Sequence, residues 1–358
     1  MTINLHNLES SDREERIEVI NAIREQKSFY ALELLIDHLE REAEQVIREK
    51  IVLVIEELFP EAGADCIGRM VRSEDAFTRN SAVEIMKKAD DAIVPVLADL
   101  ATDSNNDVRK FAIDALTTRD TPEVRVILKE RLSDPDPNVV YTAVEYLGFL
   151  RDVDAAGEIE LLATNLDDNP MLFCSCLEAL AKIGVKACSL DLIAYCHQKG
   201  RDPLFRYSIL RYMGSCASYE AVEALIFELA SQSGELFAKE IIDTMEAVCC
   251  REPLTVISPQ LKEILKRLLI SVETGESRYE LAKLLADNVD VEESRAAARL
   301  DLASDRPMVV MAAIEILSKY GQENDIALLE KLADKTDSDE ILELIGDAVA
   351  QISTSEDK

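Results

Sequence analysis

Few residues in this chain have the types and spacing for bond-making chemistry. Three histidines occur, His6, His38 and His197. Cys196-His197, taken with Cys174 and Cys176, raises the question of a metal. Zinc ligands are separated by roughly two to four residues, whereas Cys174 and Cys176 are one apart and Cys249-Cys250 are adjacent. On a helix Cys174 and Cys176 also leave from different faces, so neither a metal nor a cofactor is expected. A cysteine nucleophile needs a positioned base, and no spacing here nominates one. With 70 Asp plus Glu, carboxylate pairs arise simply from abundance and say nothing about acid–base catalysis. The eleven glycines are scattered and form no phosphate-cradling loop. The chain reads as non-catalytic.

The residues that do recur at a fixed interval are suited to recognition. Glu84, Asp114, Glu145, Glu178, Arg211, Asp243, Lys283 and Glu315 follow one another at steps of 30 to 40 residues. Four residues before three of them stand Tyr141, Cys174 and Tyr207, and Tyr146 and Tyr212 follow close by. Tyrosine offers rigid contact area and a face for a cation, so a carboxylate column beside it suits Lys or Arg side chains of a partner.

The elements that carry this column are helices. Asp107 to Leu116 places Val108, Ala112, Ala115 and Leu116 on one apolar stripe, with Arg109, Lys110 and Asp114 elsewhere. Taking Ala112 as anchor, the equivalent small or apolar residue falls at Val19, Ile51, Ala82, Ala143, Cys176, Ile209, Ile241, Leu281 and Ala313. One globular core imposes no such period; a stack of hairpins does, because each unit leans only on its neighbours. The fold expected is an all-α solenoid of about ten helical hairpins.

Helix starts are marked by a cap residue followed by proline at Asp136-Pro137, Asn169-Pro170, Asp202-Pro203 and Thr121-Pro122, and more weakly at Arg306-Pro307. Gly148, Gly184, Gly214 and Gly321 are expected where helices stop. Residues 1–11 read as a polar lead-in, 12–248 as regular repeats, 249–259 as an irregular insertion, 260–352 as further repeats with a cap, and 353–358 as a polar tail. All of 1–358 is expected to form a single solenoid.

The run Asn105 to Leu116 fits the pattern Asp-x-x-Val-Arg-x-x-Ala-x-x-Ala-Leu, with Asn in the first place. It resembles the second helix of a HEAT repeat, particularly the bacterial HEAT-like repeats of phycobilin lyases. The resemblance implies that the second helix of each pair lines a concave face and that the arginine joins a ladder between units. Here that position reads Arg16, Arg48, Arg79, Arg109, Val140, Phe173, Arg206, Ala238, Arg278 and Val310. The arginines beside Asp-rich turns suit ion pairs that pin unit to unit, with apolar packing in their place at Val140 and Phe173.

Charge narrows the partners. Lys plus Arg total 39 against 70 acids, a net of −31, which repels nucleic acid and anionic lipid and favours a cationic protein segment. The one locally basic stretch, Lys199, Arg201, Arg206 and Arg211, is read as taking up an acidic loop of the same protein, with an anionic ligand as the alternative. Met1 to Glu15 has no apolar run, and no stretch approaches the roughly 18 apolar residues of a membrane helix. Together with eight cysteines this points to a reducing cytoplasm. The expected function is a protein-interaction scaffold holding a basic segment in an acidic groove at Asp114, Tyr141, Glu145, Cys174, Glu178, Tyr207, Arg211 and Asp243. The family resemblance alone adds the alternative of a bilin-handling factor.

Overall fold

The computed structural model describes residues 4–62, 64–165, 169–184, 189–200, 202–233, 238–251, 257–271, 275–288 and 291–355. Among them there are only helices and turns, ordered as an α-solenoid of hairpins. The chain forms two compact units, Met1–Ile159 and Glu160–Lys358.

The first unit contains α1 (Arg13–Glu25), α2 (Leu32–Leu39), α3 (Gln45–Ala62), α4 (Ala64–Val71), α5 (Ala76–Lys88), α6 (Val94–Leu100), α7 (Asn106–Leu116), α8 (Pro122–Glu130) and α9 (Pro137–Phe149). The division falls inside α10 (Ala156–Thr164). The second unit continues with α11 (Pro170–Ile183), α12 (Leu190–Lys199), α13 (Pro203–Cys216), α14 (Tyr219–Ser233), α15 (Ala238–Arg251) and α16 (Pro259–Ser271). It ends with α17 (Gly275–Asn288), α18 (Val291–Asp301), α19 (Pro307–Tyr320), α20 (Glu323–Ala333) and α21 (Asp339–Ser355).

Within each unit the odd helices pack on one another, as α5 on α7 and α7 on α9, or α11 on α13 and α13 on α15. The even helices make the second layer, α2 against α4 and α14 against α16. The odd helices carry the anchors, and all ten anchor residues are buried. Each anchor is flanked by apolar residues one helical turn away, so every odd helix buries one stripe against its hairpin partner and its neighbours.

Caps form where the cap–proline pairs stand. Asp136 accepts from the Asn138 N–H at 2.8 Å, Asn169 from Leu172 at 3.1 Å, Asp202 from Leu204 at 3.0 Å and Thr121 from Val124 at 3.4 Å. α19 also opens on Pro307, but the Arg306 side chain makes no cap bond. The glycines divide. Gly184, with φ +70°, ends α11, and Gly321 follows the last residue of α19. Gly148 and Gly214 instead lie inside α9 and α13. Two of the left-handed turns that end helices are made without glycine, by Lys27 after α1 and Arg151 after α9.

Gly214 is needed for close approach: a Cβ there would stand 3.1 Å from the Thr244 Cα and 3.2 Å from its carbonyl oxygen on α15. The centre of the expected insertion, 252–256, lies outside the described residues. On its far side the Ser258 N–H donates to the Tyr219 hydroxyl at 3.3 Å, tying the start of α16 back to α14. No helix among the described residues is long and apolar enough to cross a membrane.

Two glycine substitutions in the second unit should move stability in opposite directions. Gly214→Ala forces α13 from α15 and is expected to cost about 1–3 kcal/mol. Gly346→Ala, inside α21 with nothing within 4 Å of its added Cβ, should gain up to about 1 kcal/mol from helix propensity. Urea denaturation followed by circular dichroism measures both.

Candidate partner-binding faces

The faces of the odd helices are held in register by arginine. Near the start of a helix the side chain donates back to the carbonyl six residues earlier: Arg16 to Ser10 at 2.8 Å, Arg79 to Ser73 at 2.8 Å, Arg109 to Asp103 at 2.9 Å and Arg206 to Gly200 at 3.0 Å. It also reaches forward to a carboxylate of the following repeat. Arg16 meets Glu44 at 2.6 Å, Arg48 meets Asp75, and Arg109 grips Asp134 with two bonds of 2.7 and 2.8 Å. In the second unit Arg278 grips Asp301 the same way, at 2.5 and 2.8 Å. Arg79 bonds the carbonyls of Ser73 and Glu74, while Asp103 of the next turn pairs with Arg72.

Arg109 and Asp134 are nearly shut off from solvent, whereas Glu44 is exposed. Burial alone pushes the Asp134 carboxyl up, but the hydrogen bond and charge of Arg109, with the Asp136 N–H, more than reverse it, so it lies below the ordinary carboxylate range. Asp75 is lowered by the same balance, with Thr78 and Arg48 outweighing burial.

Where the arginine position is Phe173, packing is aromatic: its ring meets Tyr195 edge-on at 5.4 Å and Phe205 at 5.5 Å. Lys199 lies over both Tyr195 and Phe205, at 5.2 and 5.8 Å, and Arg206 is buried. Two members of the basic stretch are thus engaged internally, Arg211 is exposed, and Arg201 lies outside the described residues.

A second arginine set went unread in the sequence. Arg119, buried after α7, donates to the Met86 and Ala89 carbonyls at the end of α5, at 2.8 and 2.5 Å. Arg251 does the same for α13, reaching Gly214 O at 3.0 Å and Ala217 O at 2.6 Å. Both satisfy orphan carbonyls at a helix C-terminus, where positive charge is favoured. Neither lies at a recurring sequence position, so periodicity gave no sign of them.

With the anchors inward, the residues two places on face outward. In the first unit Tyr141 is 37 % exposed and Glu145 is exposed beside it on α9, while Asp114 on α7 is half-buried and bonded to Lys110 at 2.9 Å. In the second unit Cys174 and Glu178 are half-buried on α11, and Arg211 and Asp243 are exposed. Tyr207, 50 % exposed, accepts a hydrogen bond from Arg211 at 3.2 Å. Tyr212, grouped with this column in the sequence, is core.

Between α13 and α15 lies a groove of about 310 Å³ whose walls include Tyr207, Leu210, Arg211, Glu240, Asp243 and Ala247. It brings three of the expected residues together and adds Glu240; Cys174 and Glu178 are not in its lining. Beside it the Glu280 carboxyl on α17 is pushed up, first by burial and then by the charges of Glu246, Asp243 and Glu276, against the pull of Lys239.

Among the described residues no cluster of three or more His, Cys, Asp or Glu is arranged to hold a metal ion. His38 is buried against Glu42 at 3.0 Å, and His197 lies 3.6 Å from Glu228. Burial pushes the Cys176 thiol up to about 12 and those of Cys66 and Cys249 to about 11, away from the thiolate form.

Residues 93–181 match the family model of HEAT repeats. The match covers α6 to most of α11 and includes the run that begins at Asn105. No curated protein matches the sequence. Among solved structures, Kap95p in the complex described for RanGDP is similar with a TM-score of 0.59 and 12 % identity, over 98 % of this chain and 57 % of that one. Yeast importin-beta (Kap95p) gives 0.55 and 11 %, over 97 % and 56 %, and Kap121p gives 0.53 and 13 %, over 99 % and 50 %. The chain spans 50 to 57 % of the length of these karyopherins, and at such identities what is shared is the fold.

Asp134→Asn leaves Arg109 buried and charged, and is expected to cost about 3 kcal/mol near neutral pH. Because the folded carboxyl lies below its unfolded value, its contribution is present at neutral pH and lost as pH falls through the carboxylate range. Denaturation of both proteins near pH 7 and about pH 3 should show the gap closing. Iodoacetamide labelling of the native protein, read by peptide mass mapping, should modify exposed Cys250 well before Cys66 or Cys176.

Proposed function

We propose that the chain is a non-catalytic protein-interaction scaffold that takes a basic segment of a partner protein on the outward face of its odd helices. The observation that carries this reading is the α13–α15 groove, where an exposed Tyr207 stands with Glu240 and Asp243 in a chain of net charge −31. The aromatic face and the carboxylates are complementary to a Lys or Arg side chain, whose alkyl stem packs on the ring while its charge meets the acids. Tyr141 and Glu145, with Asp114 on the neighbouring helix, offer the same chemistry in the first unit; Cys174 and Glu178 in the second offer a carboxylate without the aromatic face. Arg211, bonded to Tyr207, sets a limit on which basic residues fit and gives the site direction.

Fold neighbours agree with a role of this class. The Kap95p structure concerns binding to RanGDP, and Kap121p has been seen bound to the extreme C-terminus of Cdc14p. Those are protein ligands held by helical-repeat chains. A cytoplasmic setting, expected from cysteine usage, belongs to the same reading.

Calorimetric titration of the full chain with a peptide of alternating lysine and alanine tests it. Affinity should fall as salt rises, since exposed charges are screened within about 10 Å at 0.1 M. Tyr207→Ala and Asp243→Lys should each cost about 1–2 kcal/mol, the scale of an interface anchor, with Tyr141→Ala and Glu178→Ala weaker. Binding that ignores salt, or that survives both Tyr207→Ala and Asp243→Lys, would refute the reading.

A further inference from the structure

The outward row of the odd helices is not acidic throughout, and on α3 it is apolar. Two places beyond the anchor, α5, α7 and α9 carry Glu84, Asp114 and Glu145 and α1 carries Asn21; α3 carries Leu53. Leu53 is 58 % exposed, and two turns before it on the same helix Val46 is exposed as well. At a position where an acid serves elsewhere, an outward leucine contributes nothing to the core, whose anchor on this helix is Ile51.

The leucine does not stand alone. Between α3 and α5 there is a groove of about 470 Å³, with Val52, Leu53, Phe77 and Ile85 along its floor and sides. Its ends are closed by paired cations. At one end Lys88 bonds both oxygens of Glu56, at 3.0 and 3.1 Å. At the other, Arg48 lies 4.4 Å over the Phe77 ring and is paired with Asp75. Between those ends the two open walls carry Glu49 and Glu84, both exposed. The groove is therefore apolar in the middle, with Glu49 on one side and, on the other, Glu84, which Lys87 of its own helix approaches to 3.7 Å; the cations at its ends are already paired.

We propose that this groove docks a short amphipathic helix of a partner protein, an apolar side chain entering over Leu53 with lysine or arginine one turn to either side, facing Glu49 and Glu84. Charge chooses the occupant: an acidic helix would set its carboxylates against Glu49 and Glu84, whereas basic flanks remove that repulsion as the apolar side chain is desolvated. The surface is distinct from the Tyr207 groove. It rests on the scaffold reading only for the class of ligand.

The test uses the full chain and a helical peptide with two leucines four residues apart, lysines one turn to each side, and a benzophenone replacing one leucine. After irradiation, mass mapping of the adducts should find them within 46–56 and 77–88. Leu53→Asp should cut their yield at least about tenfold, the scale of a lost interface anchor. Glu49→Lys with Glu84→Lys should do the same, and the analogue with glutamates for lysines should give none. Circular dichroism checks that the exposed substitutions leave the fold intact. Adducts confined to residues 204–247, or a yield unmoved by Leu53→Asp, would overturn this site while leaving the scaffold reading standing. A loss as large from Glu315→Lys, in the second unit, would reduce the effect to bulk charge and overturn it too.

Discussion

None of these helices can bury its apolar stripe by itself. An anchor such as Ala112 or Ile209 has nothing to lean on until a hairpin partner and the next odd helix arrive, so every helix depends on its neighbours. The fully buried anchors and the ordered packing of α5 on α7 and α7 on α9 express that dependence. Apolar contact of this kind is not directional, however, and would tolerate sliding. The arginine near the helix start supplies direction, because a guanidinium that must satisfy both a carbonyl six residues back and a carboxylate in the following turn admits one register. Arg109 between the Asp103 carbonyl and Asp134 is the fullest case.

That use of arginine shapes the electrostatics of the whole chain. Of the cations, Arg16, Arg109, Arg119 and Arg206 are buried, each giving its donors to carbonyls or carboxylates of the fold. Burial lowers Arg119 from its ordinary value, a sign of how dry its site is. Three acids, Glu42, Asp152 and Asp325, are buried as well, so burial nearly balances the two signs. The excess of acid in the −31 net charge therefore stays on the solvent side.

The same geometry separates structure from recognition along each odd helix. Anchor and flanking positions are committed to packing, the arginine position to register, and only the outward row is free to vary. It varies in a patterned way: leucine on α3, carboxylates on α5 to α9, tyrosine and arginine on α13. Neighbouring grooves can therefore differ in chemistry while their walls are built alike.

The sequence by itself determined what depends on a few consecutive residues. Helix periodicity follows from the 3.6-residue turn, so the anchors, the cap–proline starts at Asp136, Asn169 and Asp202, and the outward placing of Tyr207 were all legible. Tertiary structure decided whatever depends on distance between helices. It set Gly214 against Thr244 instead of at a helix end, took Tyr212 into the core, sent Arg119 and Arg251 to carbonyls of the preceding odd helix, and joined Tyr207 to Asp243 across one groove while leaving Cys174 and Glu178 off its walls. The physical reason is that a side chain's face on its own helix is fixed by local backbone geometry. Which other face it meets is fixed by how closely two helices pack, and that is a sum over every contact between them.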